Sequence, residues 1–358
     1  MKGHPLRVVR LDLPLDAATF DSMLRAEPAV ALEVRPLLGA DDDAATRHTF
    51  AAAHVYHLTS ARDDIARHWF AAAPLIERCP NLLAVSTYGA GYDTVDLDAC
   101  SRAGIAVMNQ AGSNAAAVAE HAIGLMLGLA KRIGESDRRL RRGERFERAQ
   151  AIGVDLAGRA LGLVGIGHAG TRVAALGRAF GMQVLASDPY VDPAEIERRG
   201  AQAVSLDQLL VRADVVSLHC PLDAGTAGLF GAAAFAAMKP GALFITTARG
   251  GIHDEAALYD ALASGHLRGA GIDVWSVEPP PADHPLLGLP NVLATMHNAG
   301  VTDGARRQMA SMAASQIIDA AHGGRPPRLV NPEVWTSYVA RFERLLGRSV
   351  LVTGEASA

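Results

Sequence analysis

The stretch at 161–173, LGLVGIGHAGTRV, constrains this chain more than any other. Gly165-Ile166-Gly167-His168-Ala169-Gly170 is a G-x-G-x-x-G loop, with an apolar, strand-like run before it and a helical run, HAGTRVAALGRAF, after it. That context is what the motif needs to serve as a dinucleotide loop. Gly165 permits a tight turn, Gly167 lets backbone approach a pyrophosphate, and Gly170 lets helix and strand pack closely. The anion would sit on the helix N-terminus, where free N–H groups and the helix dipole favour negative charge. The next strand-like run, MQVLASD, ends in Asp188, about 18 residues beyond Gly170. A carboxylate there accepts from an adenosine ribose 2′-hydroxyl and repels a 2′-phosphate, so the expected cofactor is NAD and not NADP.

This loop arrives almost halfway along 358 residues, so a second domain has to be accounted for. Short β-type runs alternate with helical stretches on both sides of it. LRVVRLDL, ALEVRPL, HVYHLTS, LLAVSTY and IAVMN come before it; MQVLASD, DVVSLHC, ALFITTA, GAGIDVW and NVLATM come after. The alternation predicts an α/β chain with parallel sheets and helices on both faces. Helices are expected over 63–78, 96–103, one long stretch of 115–140 capped from Ser113 or Asn114, and 302–321. Gly181 and Gly265 sit where helices should stop. From Asn331 a tail places Trp335, Tyr338 and Phe342 on one helical face before a GEASA terminus expected to fray.

Several function classes are disfavoured. A net charge of −4 and a pI near 6.3 give no reason to expect nucleic acid or an anionic membrane surface. The most apolar stretch, AAAVAEHAIGLMLGLA, is interrupted by Glu120 and His121 and is too short to span a bilayer. No signal peptide is expected from MKGHPLRVVRLDLPLD. Cys79, Cys100 and Cys220 lack metal or redox spacing, so a reducing, cytoplasmic compartment is expected. The histidines show no metal-ligand spacing, and no metal is expected. DRRLRRGERFER at 137–148 carries six arginines, but acids are interspersed and base-stacking aromatics are lacking. It reads as a solvated helix end or a subunit contact.

In open α/β sheets ligands bind beyond the carboxyl ends of the strands. The residues that arrive there in the second half are Asp188, His219, Arg249, Asp273 with Glu278, and His297. Each alone has a plain explanation as a cap, a surface arginine or a satisfied histidine. Together, beside a cofactor loop, they point to hydride transfer coupled to proton transfer. A histidine moves a hydroxyl proton near neutral pH, and a neighbouring carboxylate orients its ring. An arginine grips a carboxylate with its planar fork of donors.

At these residues the sequence resembles the D-2-hydroxyacid dehydrogenase family, which includes phosphoglycerate dehydrogenases and hydroxypyruvate reductases. The resemblance covers roughly 50–325. It rests on GAGYDTVD (89–96), NQAGSNAAAVAEH (109–121), GLVGIGHAG (162–170), HCPLDAGT (219–226), MKPGALFITTARGGIHDEAAL (238–258), GAGIDVWSVEPPP (269–281) and MHNAGVT (296–302). It implies two Rossmann-like, doubly wound parallel-sheet domains. A cofactor domain of 109–299 is inserted into a discontinuous substrate domain of 1–108 plus 300–330, with 331–358 as a C-terminal tail and a cleft that closes on substrate.

The resemblance also implies residue roles. Arg249, Glu278 and His297 form the catalytic set: His297 as general acid in reduction and base in oxidation, Glu278 as its partner, Arg249 as substrate anchor. NAD would be held by Gly165, Gly167, His168, Ala169, Gly170, Asp188, His219, Pro221, Thr247, Ala248, Arg249, Asp273, His297 and Gly300. A small 2-hydroxy or 2-keto acid would meet Tyr88, Gly89, Ala90, Gly91, Asn114, Arg249 and His297, the glycine-rich turn offering an anion-binding nest. The helix after Asn114 implies a homodimer contact. Met296 replaces the proline usual before the histidine, and Ala169 a larger aliphatic residue in the loop. No serine-type feedback domain is expected after residue 330. Two rivals stand beside this reading: a phosphite-type dehydrogenase on the same scaffold, and a nucleotide-sensing, corepressor-like binding protein. Glu278, where the formate-oxidising branch usually has glutamine, speaks against formate.

Overall fold

A computed structural model describes residues 4–13, 16–37, 44–144 and 147–351. The GEASA terminus lies outside the described residues, as do Arg145 and Phe146 of the arginine-rich run. The chain divides into two compact units, 1–114 with 303–358, and 115–302.

The first unit begins β1 (Leu6–Asp12), α1 (Ala17–Ala26), β2 (Val30–Pro36), α2 (Ala44–Ala52), β3 (Val55–Leu58), α3 (Ala73–Ile76), β4 (Ala84–Thr87), α4 (Leu97–Arg102) and β5 (Ala106–Met108). Its strands pair in parallel in the order β2-β1-β3-β4-β5. All four residues of β3 and of β4 are buried, His57, Ser86 and Thr87 included, so neither run alternates between a buried and an exposed face. The helix expected over 63–78 is instead a 3₁₀ turn at Arg67–Trp69 followed by the short α3. Tertiary bonds override helical propensity there: Ala71 bridges Val95, and the buried Tyr56 hydroxyl donates to Trp69 O at 3.0 Å. Asp96 caps α4 by accepting from Ala99 N.

The second unit runs α5 (Ala115–Ala130), α6 (Ile133–Arg141), β6 (Ala160–Val164), α7 (His168–Ala179), β7 (Gln183–Ser187), α8 (Pro193–Arg198), β8 (Gln202–Ala203), α9 (Leu206–Arg212), β9 (Val215–Leu218), α10 (Ala232–Ala237), β10 (Leu243–Thr246), α11 (Glu255–Ala263), β11 (Gly269–Ile272) and β12 (Val292–Ala294). Seven parallel strands lie in the order β12-β11-β10-β9-β6-β7-β8. Side chains alternate across this sheet. Leu161, Leu163, Leu243 and Ile245 pack with α5 and α7, while Val216, Leu218, Phe244 and Ile272 pack with α9, α10 and α11. Each such side chain contributes roughly 1.5–3 kcal/mol of burial. Gly181 and Gly265 have φ of +73° and +76° just past α7 and α11, as helix stops require.

The single helix expected over 115–140 is broken. Arg132 adopts φ +53°, and its guanidinium holds Glu135 at 2.7 and 2.6 Å and Gln150 O at 2.6 Å. Ser113 does not cap α5 through its hydroxyl, which donates to Gln110 O at 2.6 Å. Among the described residues, no helix is long and apolar enough to cross a membrane.

The chain then returns to the first unit with α12 (Asp303–Ala321), which packs on α1, and α13 (Trp335–Leu346), which buries Tyr338, Phe342 and Leu346. Asn331 ties this last segment to β5: its side chain accepts from Val107 N at 2.7 Å and donates to Ile105 O at 3.0 Å.

Candidate active site

The strand order of the second unit sorts its polar strand ends into two neighbouring groups. β7, β6 and β9 carry Asp188, the glycine loop and His219; β10, β11 and β12 carry Arg249, Asp273 with Glu278, and His297. β6 lies between β7 and β9, the switch point at which doubly wound sheets open a crevice.

The loop after β6 is shaped by glycine. Gly165 has φ +90°, and a Cβ there would stand 2.7 Å from Cys220 N. A Cβ on Gly170 would collide with Gly165 O, whereas one on Gly167 would meet open space. Gly167 also precedes α7 without contributing a capping side chain. The helix end is therefore approachable by an anion. Asp188 folds back on the loop, accepting from Ile166 N and from Tyr190 N, each at 3.0 Å.

Two neighbouring strand ends carry unsatisfied atoms. His219 Nδ1, after β9, and Thr247 Oγ1, after β10, are buried without a hydrogen-bond partner among the described residues. The other ring nitrogen of His219 bonds Ser217 Oγ at 2.9 Å, and burial pushes this imidazole down to about 4. Orphaned buried polar atoms are costly. Together with the bare glycine turn they fit a dinucleotide that brings its own donors and acceptors. His168 and Pro221 are exposed; Ala169 and Gly300 are half-buried.

On the other side, His297 Nδ1 lies 2.8 Å from Glu278 Oε2, and the two side chains are 39% and 28% exposed. Because a carboxylate only accepts, Nδ1 carries the proton in this bond and Nε2 is left for other partners. Glu278 Oε1 accepts from Trp275 N at 3.0 Å. Burial pushes the Glu278 carboxyl up, but the bonds from His297 and Trp275 and the charges of His297 and Arg249 outweigh it, so the group ionises below its ordinary range. Arg249 is half-buried, with Nη1 donating to Ala248 O at 2.7 Å. Its loop presses on the loop after β11, since a Cβ on Gly250 would collide with Trp275 O. Val277 and Met296, which precede Glu278 and His297 in the chain, are exposed.

Asp273, expected on the cofactor, is fully buried with both oxygens engaged. They accept from Thr295 Oγ1 at 2.6 Å and from Asn298 N and Ala299 N, each at 3.0 Å. Its backbone oxygen accepts from His297 N at 2.6 Å. The residue thus shapes the turn that carries His297, which has φ +50°. Thr295, Trp275 and His121, none of them singled out as site residues from sequence, all belong to this arrangement. His121 Nε2 meets Thr295 Oγ1 at 3.0 Å, and Trp275 Nε1 donates to Thr295 O at 3.0 Å. A polar side chain closing a strand two positions before the candidate histidine was the available signal for Thr295. Among the described residues, no three His, Cys, Asp or Glu side chains form a group that could hold a metal ion.

In the first unit, the turn after β4 holds Tyr88, Gly89, Ala90 and Gly91. Gly89 O accepts from Gln110 N at 2.9 Å and from Thr87 Oγ1 at 3.2 Å, and Ala90 O accepts from Asn109 Nδ2 at 2.8 Å. Tyr88 is buried, and its hydroxyl accepts from Asp16 N at 3.0 Å. A narrow crevice opens beside it, lined by Arg10, Phe20, His57 and Thr59. Asn114 is half-buried at the last position before α5.

Comparison with known proteins bears on both units. Residues 123–299 match the family model described as D-isomer specific 2-hydroxyacid dehydrogenase, NAD binding domain. The chain is 40% identical over 251 residues to D-3-phosphoglycerate dehydrogenase of Archaeoglobus fulgidus, covering 70% of this chain and 47% of that protein. It is 38% identical over 265 residues to glyoxylate reductase of Korarchaeum cryptofilum, covering 73% of this chain and 80% of that protein. A crystal structure of D-lactate dehydrogenase from Aquifex aeolicus, complexed with NAD and lactic acid, superposes with a TM-score of 0.77 at 26% identity, over 90% of this chain and 98% of that one. The chain spans about half the length of the phosphoglycerate dehydrogenases it matches.

Proposed function

The chain belongs to the D-isomer specific 2-hydroxyacid dehydrogenase family, and from that premise we propose that it interconverts a small D-2-hydroxy acid and its 2-keto acid with NAD(H). The observation that carries the reading is the 2.8 Å bond between His297 Nδ1 and Glu278 Oε2 at the carboxyl end of a sheet whose glycine loop fits a dinucleotide. A nicotinamide held there supplies or accepts the hydride. His297 moves the hydroxyl proton through Nε2: with Nδ1–H held by Glu278, the ring takes a proton at Nε2 and returns it to the 2-oxygen in reduction. Glu278, kept ionised by its hydrogen bonds, balances the charge on the imidazolium. Arg249 grips the substrate carboxylate or polarises its carbonyl with a planar fork. Backbone N–H groups of Gly89, Ala90 and Gly91 form the nest for the substrate carboxylate.

We further propose a cytoplasmic protein that pairs as a homodimer. Cys79 and Cys100 are buried thiols that suit a reducing, cytoplasmic compartment. The small residues of α5, Gly124 among them, suit a face on which two copies pair, and sedimentation would report the dimer. The function itself is tested by nicotinamide absorbance with glyoxylate, hydroxypyruvate, pyruvate and phosphohydroxypyruvate. Oxidation of NADH by at least one is expected; no oxidation across the panel would favour a nucleotide sensor.

A further inference from the structure

His297 and Glu278 come from different strand ends, and each is held by a different support. His297 is held through Asp273, whose backbone oxygen takes His297 N at 2.6 Å and whose carboxylate takes Asn298 N and Ala299 N. These bonds sustain a φ of +50° that a histidine rarely adopts. Glu278 is held through Trp275, whose backbone N–H donates to Oε1 at 3.0 Å. Thr295 joins the two supports. Its hydroxyl lies 2.6 Å from Asp273 Oδ1, and its carbonyl takes the Trp275 indole N–H at 3.0 Å. Its own N–H donates to Ile272 O at 2.9 Å, fixing it at the strand end.

The direction of the chain of bonds follows from donor chemistry. Asp273 accepts, so the single proton of the Thr295 hydroxyl points at it. The contact of 3.0 Å between His121 Nε2 and Thr295 Oγ1 then has only one polarity, with Nε2–H donating. The run His121 to Thr295 to Asp273 leads from α5 to the turn of His297.

The geometry points to Thr295 as a positioning residue for proton transfer: its hydroxyl, oriented by His121, locks the Asp273 turn that aims His297 at Glu278. The inference rests on the dehydrogenase reading for its kinetic consequence but not for its structural one. Loss of the hydroxyl leaves His121 Nε2–H, 3.7 Å from Asp273 Oδ1, to compete for that carboxylate, and the turn loosens. The result is a ring that spends part of its time away from Glu278.

The test compares Thr295→Val, which keeps shape and loses the hydroxyl, with Thr295→Ser, which keeps the hydroxyl. ¹⁵N NMR of His297 in the free protein reads the ring directly. Wild type and T295S should show the Nδ1–H tautomer, and T295V a mixture. With the keto acid that wild type reduces, T295V should lose about tenfold in kcat with KM for NADH unchanged, a penalty typical of a small misplacement, and T295S should recover it. Should T295V not fold, His121→Phe enters the same run from its far end and should alter the His297 signal in the same sense, with a smaller loss of kcat. Wild-type turnover and an unaltered His297 spectrum in T295V or H121F would overturn the inference while leaving the dehydrogenase intact. An altered spectrum in a chain whose wild type turns over no keto acid would keep the positioning role and remove the reaction.

Discussion

At the carboxyl end of the first unit's sheet, the ionisable groups are locked. Arg10 is bidentate to Asp21, both bonds 2.8 Å, and the buried His57 stacks on Phe20 at 4.2 Å and bonds Ser86 Oγ at 3.1 Å. Burial, helped by the Arg10 charge, pushes His57 down to about 3. At the same end of the second unit's sheet, His297 and Glu278 keep 39% and 28% of their side chains exposed, and buried polar atoms such as His219 Nδ1 and Thr247 Oγ1 lack a hydrogen-bond partner among the described residues. The two sheets share parallel pairing and a double winding, so the fold does not set the difference. It lies in how deeply each strand-end side chain is buried. An imidazole buried and stacked in the core is held neutral there; one that reaches the surface beside a carboxylate is available for chemistry.

The sharpest way to break this comparison is to exchange the histidines' fates. His297→Asn should lower turnover by about 10²–10⁴ with NADH binding retained, since it removes the proton carrier alone. His57→Phe should leave turnover standing and change acid stability instead. With a folded value of about 3 against an ordinary 6.5, the neutral ring stabilises fully above pH 6.5, and that contribution is lost as pH falls toward 3, because the unfolded chain takes the proton first. Urea unfolding at pH 4 should therefore show H57F gaining on wild type by about 2–3 kcal/mol relative to pH 7. Parallel acid limbs would remove His57 from the core account.

Two smaller effects sharpen the picture within the second rim. Arg249→Lys keeps the charge and loses the fork, and KM for the keto acid should rise about tenfold. Unchanged constants would count against the anchor. Asp188→Ala should shift the NADH-to-NADPH preference severalfold toward NADPH, since a charge-assisted bond to the ribose and a repulsion of the 2′-phosphate both go. Equal preference before and after would place ribose recognition elsewhere.

Much of this was legible in the sequence because parallel strands buried on both faces are short apolar runs, and a polar residue ending such a run stands at the rim. Asp188, His219, Arg249, Glu278 and His297 were all located that way. What escaped depended on partners distant in sequence. Thr295 bonds residues 22 and 174 positions away, which no local pattern encodes. Asp273 looked like its neighbours at the strand ends, and only the folded turn reveals that its carboxylate also accepts from Asn298 N and Ala299 N. The break at Arg132 depends on Gln150 O, 18 positions on, while α5 and α6 are each helical by local pattern.

The most direct test is turnover of His297→Ala with and without free imidazole in solution. The account predicts a chain that still binds NADH, turns over at least a hundredfold more slowly than wild type, and recovers activity as imidazole is added. A variant that runs at the wild-type rate, leaving imidazole nothing to restore, would contradict it.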